Sequence, residues 1–220
     1  MGDSLDLIPI GGWRGQGRKR RWISPWLMAT YDPIEGTFGS VCRVMSGFSD
    51  AFYKEQTIRY LGAEIGGGDT DAEGGGIEGG EGGDGGEEGE EEEEEGEEAE
   101  GEADEEAQVE GEEGEEGAYG GDGDGGERPL LLDGPAGGVE TGETASYWFR
   151  PSEVWEVRGA DITVSPVHMA ASGLVHPTRG LSMRFPRFIK KRPDKRLSDA
   201  TTPELLAAMF RKQAQGQAEM

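Results

Sequence analysis

The sequence predicts a mainly β fold: a five-strand Greek-key barrel with a helix between strands 3 and 4, a C-terminal helix and a long disordered acidic insert. Three observations predict it. Short apolar stretches follow one another closely at the start of the chain, give way to one helical segment, and later return. All five Trp and all seven Phe lie outside residues 64–127. That same segment carries the charge imbalance. The 220 residues include 46 acidic and 21 basic side chains, a formal net charge of −25. Residues 64–127 hold 30 of the acids, 23 Gly and no Lys or Arg, so the rest keeps 16 acids and 21 bases, a net +5. What remains outside the segment is long enough for one ordinary domain with its own core.

Strand 1 is expected over Leu5–Trp13, where Pro9 argues for an edge or bulged position. A Gly-rich basic turn, Arg14–Arg21, leads to strand 2 at Trp26–Tyr31. Asp32-Pro33 opens a turn, and strand 3 runs over Phe38–Met45. The period then changes to that of a helix, Phe48–Leu61. Ser49 is suited to the N-cap, Asp50 to the first turn, Phe48 and Tyr53 to a hydrophobic staple, and Gly62 to the C-cap. The segment 64–127 buries too little to offset chain entropy, and its like charges repel, so it is read as disordered. Residues 128–145 read as a Pro/Gly linker with one apolar patch, Leu130–Leu132.

Order is expected to resume at Tyr147–Phe149. Glu153–Arg158 and Asp161–Val167 read as a strand bent at Gly159, and Gly180–Ile189 as another. A basic run precedes the terminal helix. That helix has Thr202 as N-cap, Pro203 at its first position, and an apolar stripe of Leu205, Leu206, Met209 and Phe210. Three strands, a helix and two more strands is the element order of an OB-fold, with the insert in the connection after the helix, where closure entropy grows only slowly with length. The chain divides into residues 1–63 (strands 1–3 and the helix), 64–146 (acidic insert and linker), 147–199 (second half of the barrel) and 200–220 (terminal helix and tail).

Composition excludes several classes. A single cysteine, Cys42, allows neither an internal disulfide nor a multi-thiolate zinc site. Two histidines, His168 and His176, rule out a histidine-rich metal centre, and no metal site is expected. No apolar run approaches the roughly 18–20 residues of a membrane span, so no membrane partner is expected. Met1–Ile10 lacks the pattern of a secretory signal. Asp161, Ser165 and His168 invite a hydrolase reading that fails for want of a nucleophile elbow; His168 reads as structural, and Trp155, Val157, Ile162 and Val164 as core.

Three constellations carry possible chemistry. Arg192-Pro193-Asp194-Lys195 joins a guanidinium fork to an ammonium, a pair suited to phosphate oxygens, although a basic run after a last strand is commonly just solvated. Arg184-Phe185-Pro186-Arg187-Phe188 mixes rings and cations. An exposed ring can wedge into a minor groove while arginines hold phosphates, or the rings can simply fill a barrel. Phe185 and Phe188 are three apart and therefore face opposite sides, Phe185 out and Phe188 in. Arg14, Arg18, Lys19 and Arg20, in a glycine-rich loop, suit a DNA backbone, a nuclear localisation signal, or a plain basic turn.

The segment Trp155-Glu-Val-Arg-Gly-Ala-Asp-Ile-Thr-Val-Ser-Pro-Val-His168, the segment Gly180-Leu-Ser-Met-Arg-Phe-Pro-Arg-Phe-Ile-Lys-Lys-Arg-Pro-Asp-Lys195, the opening Asp6-Leu-Ile-Pro-Ile-Gly with its Gly-Gln-Gly-Arg-Lys-Arg loop, and Gly47-Phe-Ser-Asp50 together resemble the C-terminal domain of eukaryotic ATP-dependent DNA ligases of the ligase I type. Val44-Met-Ser-Gly-Phe-Ser-Asp-Ala-Phe-Tyr-Lys54 and Gly173-Leu-Val-His-Pro177 are closest to its plant and algal branch. The resemblance implies an OB-fold that closes over ATP during adenylation and grips nicked double-stranded DNA during phosphodiester formation. That activity serves replication, repair and recombination. It implies catalytic roles for Arg192, Asp194 and Lys195, and ATP contacts from Arg187, Arg192 and Lys195. It implies DNA contacts from Arg14, Arg18, Lys19, Arg20, Arg184, Phe185 and Arg187. Mg²⁺ would accompany ATP, held mostly by residues outside this chain.

The family's nucleophile lies in a nucleotidyltransferase domain with a Lys-x-Asp-Gly motif. None of Lys19, Lys54, Lys190, Lys191, Lys195 or Lys212 is followed by x-Asp-Gly. The chain is therefore expected to be one part of a longer enzyme, inactive alone, with that domain as its partner. The alternative is a stand-alone, non-catalytic OB-fold module that binds nucleic acid. The basic loop points to the nucleus, an organelle being left open. The acidic insert is expected either to be a solvated insertion, or to compete with DNA for the basic face or bind basic partners.

Overall fold

The computed structural model describes residues 4–62 and 129–218; the disorder expected of residues 64–127 lies outside them. Strands β1 (Ser4–Arg14), β2 (Ile23–Asp32) and β3 (Thr37–Val44) form the antiparallel meander. Helix α1 (Asp50–Leu61) follows. Ser49 Oγ accepts from Phe52 N, the Phe48 and Tyr53 rings meet at 4.9 Å, and Gly62 ends the helix at φ +83°. Each of these local signals was readable because capping and stapling are made by residues within four positions of one another.

The second half supplies β6 (Tyr147–Phe149), β7 (Trp155–Arg158), β8 (Asp161–Ser165), β9 (Gly180–Arg184) and β10 (Arg187–Lys191). β7 and β8 are the two arms of the strand bent at Gly159. β9 and β10 are the arms of a second bent strand, broken at Phe185-Pro186. Hydrogen bonding joins β10, β7, β1, β2 and β3 in that order, while β8 and β9 pair as a separate hairpin. Ala170 ties the hairpin to the sheet: its N–H donates to Ser40 O of β3 at 2.9 Å, and its carbonyl accepts from Leu181 N of β9 at 2.7 Å. Counting each bent pair as one, the five strands with α1 after the third have the OB-fold order.

Three details refine the sequence reading. The stretch 129–146 is more than a linker: β4 (Leu131–Leu132) pairs with β6, and β5 (Val139–Glu140) pairs in parallel with β3. Leu130 and Leu131 pack on the core, which gives that segment enough burial to be ordered. Pro9 takes the bulged position, one of the two expected of it, and not an edge. It sits between the part of β1 paired with β7 and the part paired with β6, beside a register shift against β2, where the ladders are already interrupted.

The third detail concerns the terminal helix α2 (Pro203–Ala218). It buries Leu206 and Ala207 and packs Met209 and Phe210, but Leu205 is 52% exposed. One residue step turns a helix by about 100°, so Leu205 leaves the buried face. Thr202 Oγ1 caps the helix through Leu205 N at 3.3 Å, and the Gln213 amide accepts from Ile162 N at 3.0 Å and donates to Ile162 O at 3.1 Å.

The core is aromatic. Trp26 and Trp155 lie 5.0 Å apart, ringed by Tyr60, Phe149, Val157 and Leu181. Cys42 is buried in it, and burial pushes its thiol pKa far up. Val164 is 38% exposed rather than core, because it lies on the outer face of the β8–β9 hairpin. Ser165 Oγ accepts from Val167 N and His168 N, and His168 Nδ1 meets Ser40 Oγ at 3.2 Å, so these residues make a structural corner and no hydrolase triad.

Candidate nucleic-acid and phosphate interface

The break between β9 and β10 presents Phe185. Its φ is +52°, a conformation uncommon for a residue with a Cβ. Ser46 holds the turn from below: its Oγ donates to Pro186 O and its carbonyl accepts from Phe188 N, both at 3.0 Å. Gly47, at φ +91°, brings its backbone so close that a Cβ would come within 2.2 Å of Phe188 O. Phe185 is consequently 73% exposed. The Arg184 guanidinium lies 5.3 Å from the Phe185 ring centre, and Arg184 and Arg187 are both exposed beside it. Phe188 turns inward, stacking on Phe48 and Phe52 at 4.7 and 4.6 Å.

The Arg14–Arg21 loop lies on the other side of the Met45–Gly47 turn. It contains a single 3-10 turn, Gly17–Lys19. Arg18 and Arg20 are exposed. Arg14 Nε donates to Arg20 O at 3.0 Å, which holds the loop closed. Lys19 is half-buried: its ammonium donates to Tyr53 Oη at 3.0 Å and Met45 O at 3.4 Å and lies 4.5 Å from the Tyr53 ring centre. Lys19 therefore anchors the loop to α1, a role its sequence neighbourhood did not reveal. Trp13, Arg14, Lys19, Arg43 and Met45 line a groove of about 600 Å³. Arg43 lies 4.3 Å from the Trp13 ring centre and pairs with Glu143, 100 residues away in sequence. The sequence reading passed over Arg43; its only signal is an exposed cation in an otherwise buried strand.

The second cluster sits at the opposite end of β10, about 17 Å along the strand from Arg187. Arg192 N donates to Val154 O at 2.7 Å and continues the ladder, and Lys195 N closes a turn onto Arg192 O at 3.0 Å. That turn sets the guanidinium and the ammonium side by side. Asp194 accepts from Arg192 Nε and Nη2 at 3.0 and 2.8 Å, a bidentate pair. The Arg192 hydrogen bonds pull the Asp194 carboxyl down to about 2, and the Asp194 contact holds Arg192 still more firmly protonated. Asp6, on β1, was not foreseen. Its Oδ1 lies 3.0 Å from Arg192 Nη1 and its Oδ2 lies 2.7 Å from Lys195 Nζ.

The structure thus gathers Arg192, Asp194 and Lys195, and separately Arg184, Phe185 and Arg187. It does not bring Arg187, expected at both ATP and DNA, into the Arg192 cluster. Among the described residues no group of three or more His, Cys, Asp or Glu could hold a metal ion, and no helix is long and apolar enough to cross a membrane.

A curled sheet bearing an exposed ring between arginines at one end of a strand and an Arg/Lys pair at the other, with one helix after its third strand, has the architecture of an OB-type domain. Residues 128–195 match the family model described as the ATP dependent DNA ligase C terminal region. Over 97% of its length the chain is 38% identical to DNA ligase 6 of Arabidopsis thaliana, covering 10% of that protein. Over 96% of its length it is 37% identical to DNA ligase 3 of Schizosaccharomyces pombe, covering 19% of it. The ligase domain from M. tuberculosis LigD superposes with a TM-score of 0.45 at 14% identity, over 91% of this chain and 38% of that one. The chain is thus similar to the C-terminal regions of ATP-dependent DNA ligases, and it spans between a tenth and a fifth of the two curated relatives named.

Proposed function

We propose that the chain is the OB-fold half of the catalytic core of an ATP-dependent DNA ligase. In this reading it closes over ATP during adenylation of a separate nucleotidyltransferase domain, then grips nicked duplex DNA for phosphodiester formation in replication and repair. The observation that carries the reading is the division of labour along β9–β10: a phosphate-type cation pair at one end and an exposed, arginine-flanked ring at the other. Phe185 would press on the minor groove while Arg184 and Arg187 hold flanking phosphates. Arg14, Arg18 and Arg20 would reach the backbone farther along, with Lys19 fixing their loop.

ATP fits the second cluster by donor chemistry: Arg192 and Lys195, with side chains 21% and 28% exposed, keep N–H bonds free for phosphate oxygens. Bound ATP supplies the AMP group, whose transfer expels pyrophosphate. The part played by this chain's residues is to hold the charge that gathers on the outer phosphates. Mg²⁺ would accompany the nucleotide, with its ligands mostly outside this chain. The basic loop supports a nuclear address.

The test is a fusion of the chain to the nucleotidyltransferase portion of a relative deprived of its own C-terminal region. Restored transfer of labelled AMP, lost again with Arg192→Ala, is the expected result. The second reading, a non-catalytic nucleic-acid-binding module, is favoured by the absence of a Lys-x-Asp-Gly motif. It requires DNA binding with no restored transfer.

The acidic insert carries −30 against +5 on the rest of the chain. Tethered to a remainder of net positive charge, it would compete with DNA or attract basic partners. Deleting residues 64–127 should tighten binding of nicked duplex at low salt; unchanged binding would dismiss the competition.

A further inference from the structure

Asp6 holds both cations of the Arg192/Lys195 pair at once, at 3.0 and 2.7 Å, from a strand 186 and 189 residues away in sequence. It cannot readily follow them outward. Thr201 fixes Asp6 on both sides of its backbone, Thr201 Oγ1 accepting from Asp6 N at 2.9 Å and Thr201 N donating to Asp6 O at 2.8 Å. Glu156 lies 3.7 Å from Arg192 and does not touch Lys195. Asp194 engages Arg192 alone, from the exposed side.

We propose that Asp6 is an internal counter-ion gate: its fixed carboxylate occupies the Arg192 guanidinium and the Lys195 ammonium in the place of phosphate oxygens, and a polyphosphate binds by drawing both cations off it. This rests on the reading of Arg192 and Lys195 as a triphosphate clamp. The gate has two consequences. It keeps the two cations together, oriented and neutralised while no nucleotide is present, and it lowers the affinity of the clamp for anions by holding a negative charge within ionic contact of both.

The test titrates inorganic tripolyphosphate, without metal, into the full chain at low ionic strength by calorimetry. Asp6→Asn keeps the size of the side chain and both backbone bonds to Thr201 while removing the charge. It should tighten binding roughly fivefold or more. Asp6→Ser, a smaller neutral side chain, should also tighten binding. Glu156→Gln removes a like charge from the same neighbourhood and should tighten it distinctly less. A purely structural Asp6 would lower the melting temperature without any gain in affinity. Unchanged or weaker binding in Asp6→Asn, or an equal gain in Glu156→Gln, overturns the gate while leaving the clamp intact. Binding that does not respond to Arg192→Ala overturns the clamp itself, and the gate with it.

Discussion

Phe185 and Phe188 are separated by two residues, yet the first is 73% exposed and the second 7%. The left-handed turn at Phe185 and its anchor on Ser46 make the difference, placing one ring over solvent and the other in the aromatic core. The two substitutions to alanine should therefore separate stability from recognition. Phe188→Ala should cost about 3–5 kcal/mol of folding stability, as large aromatic deletions in cores do. Phe185→Ala should change stability by less than about 0.5 kcal/mol. Denaturant melts measure both. Fluorescence anisotropy on a nicked duplex should show Phe185→Ala binding several-fold more weakly, with an unchanged melt.

Gly47 occupies a backbone conformation that a side chain resists, and a Cβ there would collide with the Phe188 carbonyl. Gly47→Ala should destabilise the domain by more than about 1 kcal/mol. It should also displace the Phe185 turn. The check is a denaturant melt together with nicked-duplex affinity, and both should fall.

The Asp194 carboxyl titrates near 2 because Arg192 donates to it. Since the folded value lies below the unfolded one of about 3.9, this contact stabilises the protein above that value and is lost as pH falls toward 2. In Arg192→Ala, carbon-detected NMR should find the Asp194 midpoint back in the ordinary carboxylate range. An unmoved midpoint would show that Arg192 is not its cause.

His168 is driven below its usual value of 6.5, first by burial and also by Arg43, with Glu143 pulling the other way. A depressed folded value means that the neutral imidazole stabilises the fold above about 6.5, and that this contribution is lost as pH falls through the folded value. Imidazole NMR titration should place the His168 midpoint below the ordinary value of 6.5. Glu143→Gln should lower it further, because the one influence raising it is removed.

Much of this protein was legible in order. Ser49, Phe48, Tyr53 and Gly62 marked α1 because caps and staples are local. The strand order survived because period-two patterning is set by which face of each strand meets the core. Leu205 was misjudged because an apolar stripe read from sequence cannot tell which of two adjacent leucines a neighbouring strand will cover. The anchoring of Lys19 is not legible in its loop, because Tyr53, its partner 34 residues on, is brought to it only by the packing of α1 against the loop.

The sequence alone determined the charge division between residues 64–127 and the rest, the element order, and the Arg-Phe-Pro-Arg-Phe and Arg-Pro-Asp-Lys motifs, since composition, periodicity and capping are properties of neighbouring residues. The tertiary structure decided which residues answer those motifs. Asp6 reaches Arg192 and Lys195, Glu143 reaches Arg43, and β5 pairs with β3, all through contacts made by the folded sheet. Ion pairs and the β3–β5 pairing, made between residues a hundred or more positions apart, leave no periodic trace. They exist only where hydrophobic closure has already set their partners a few ångströms away.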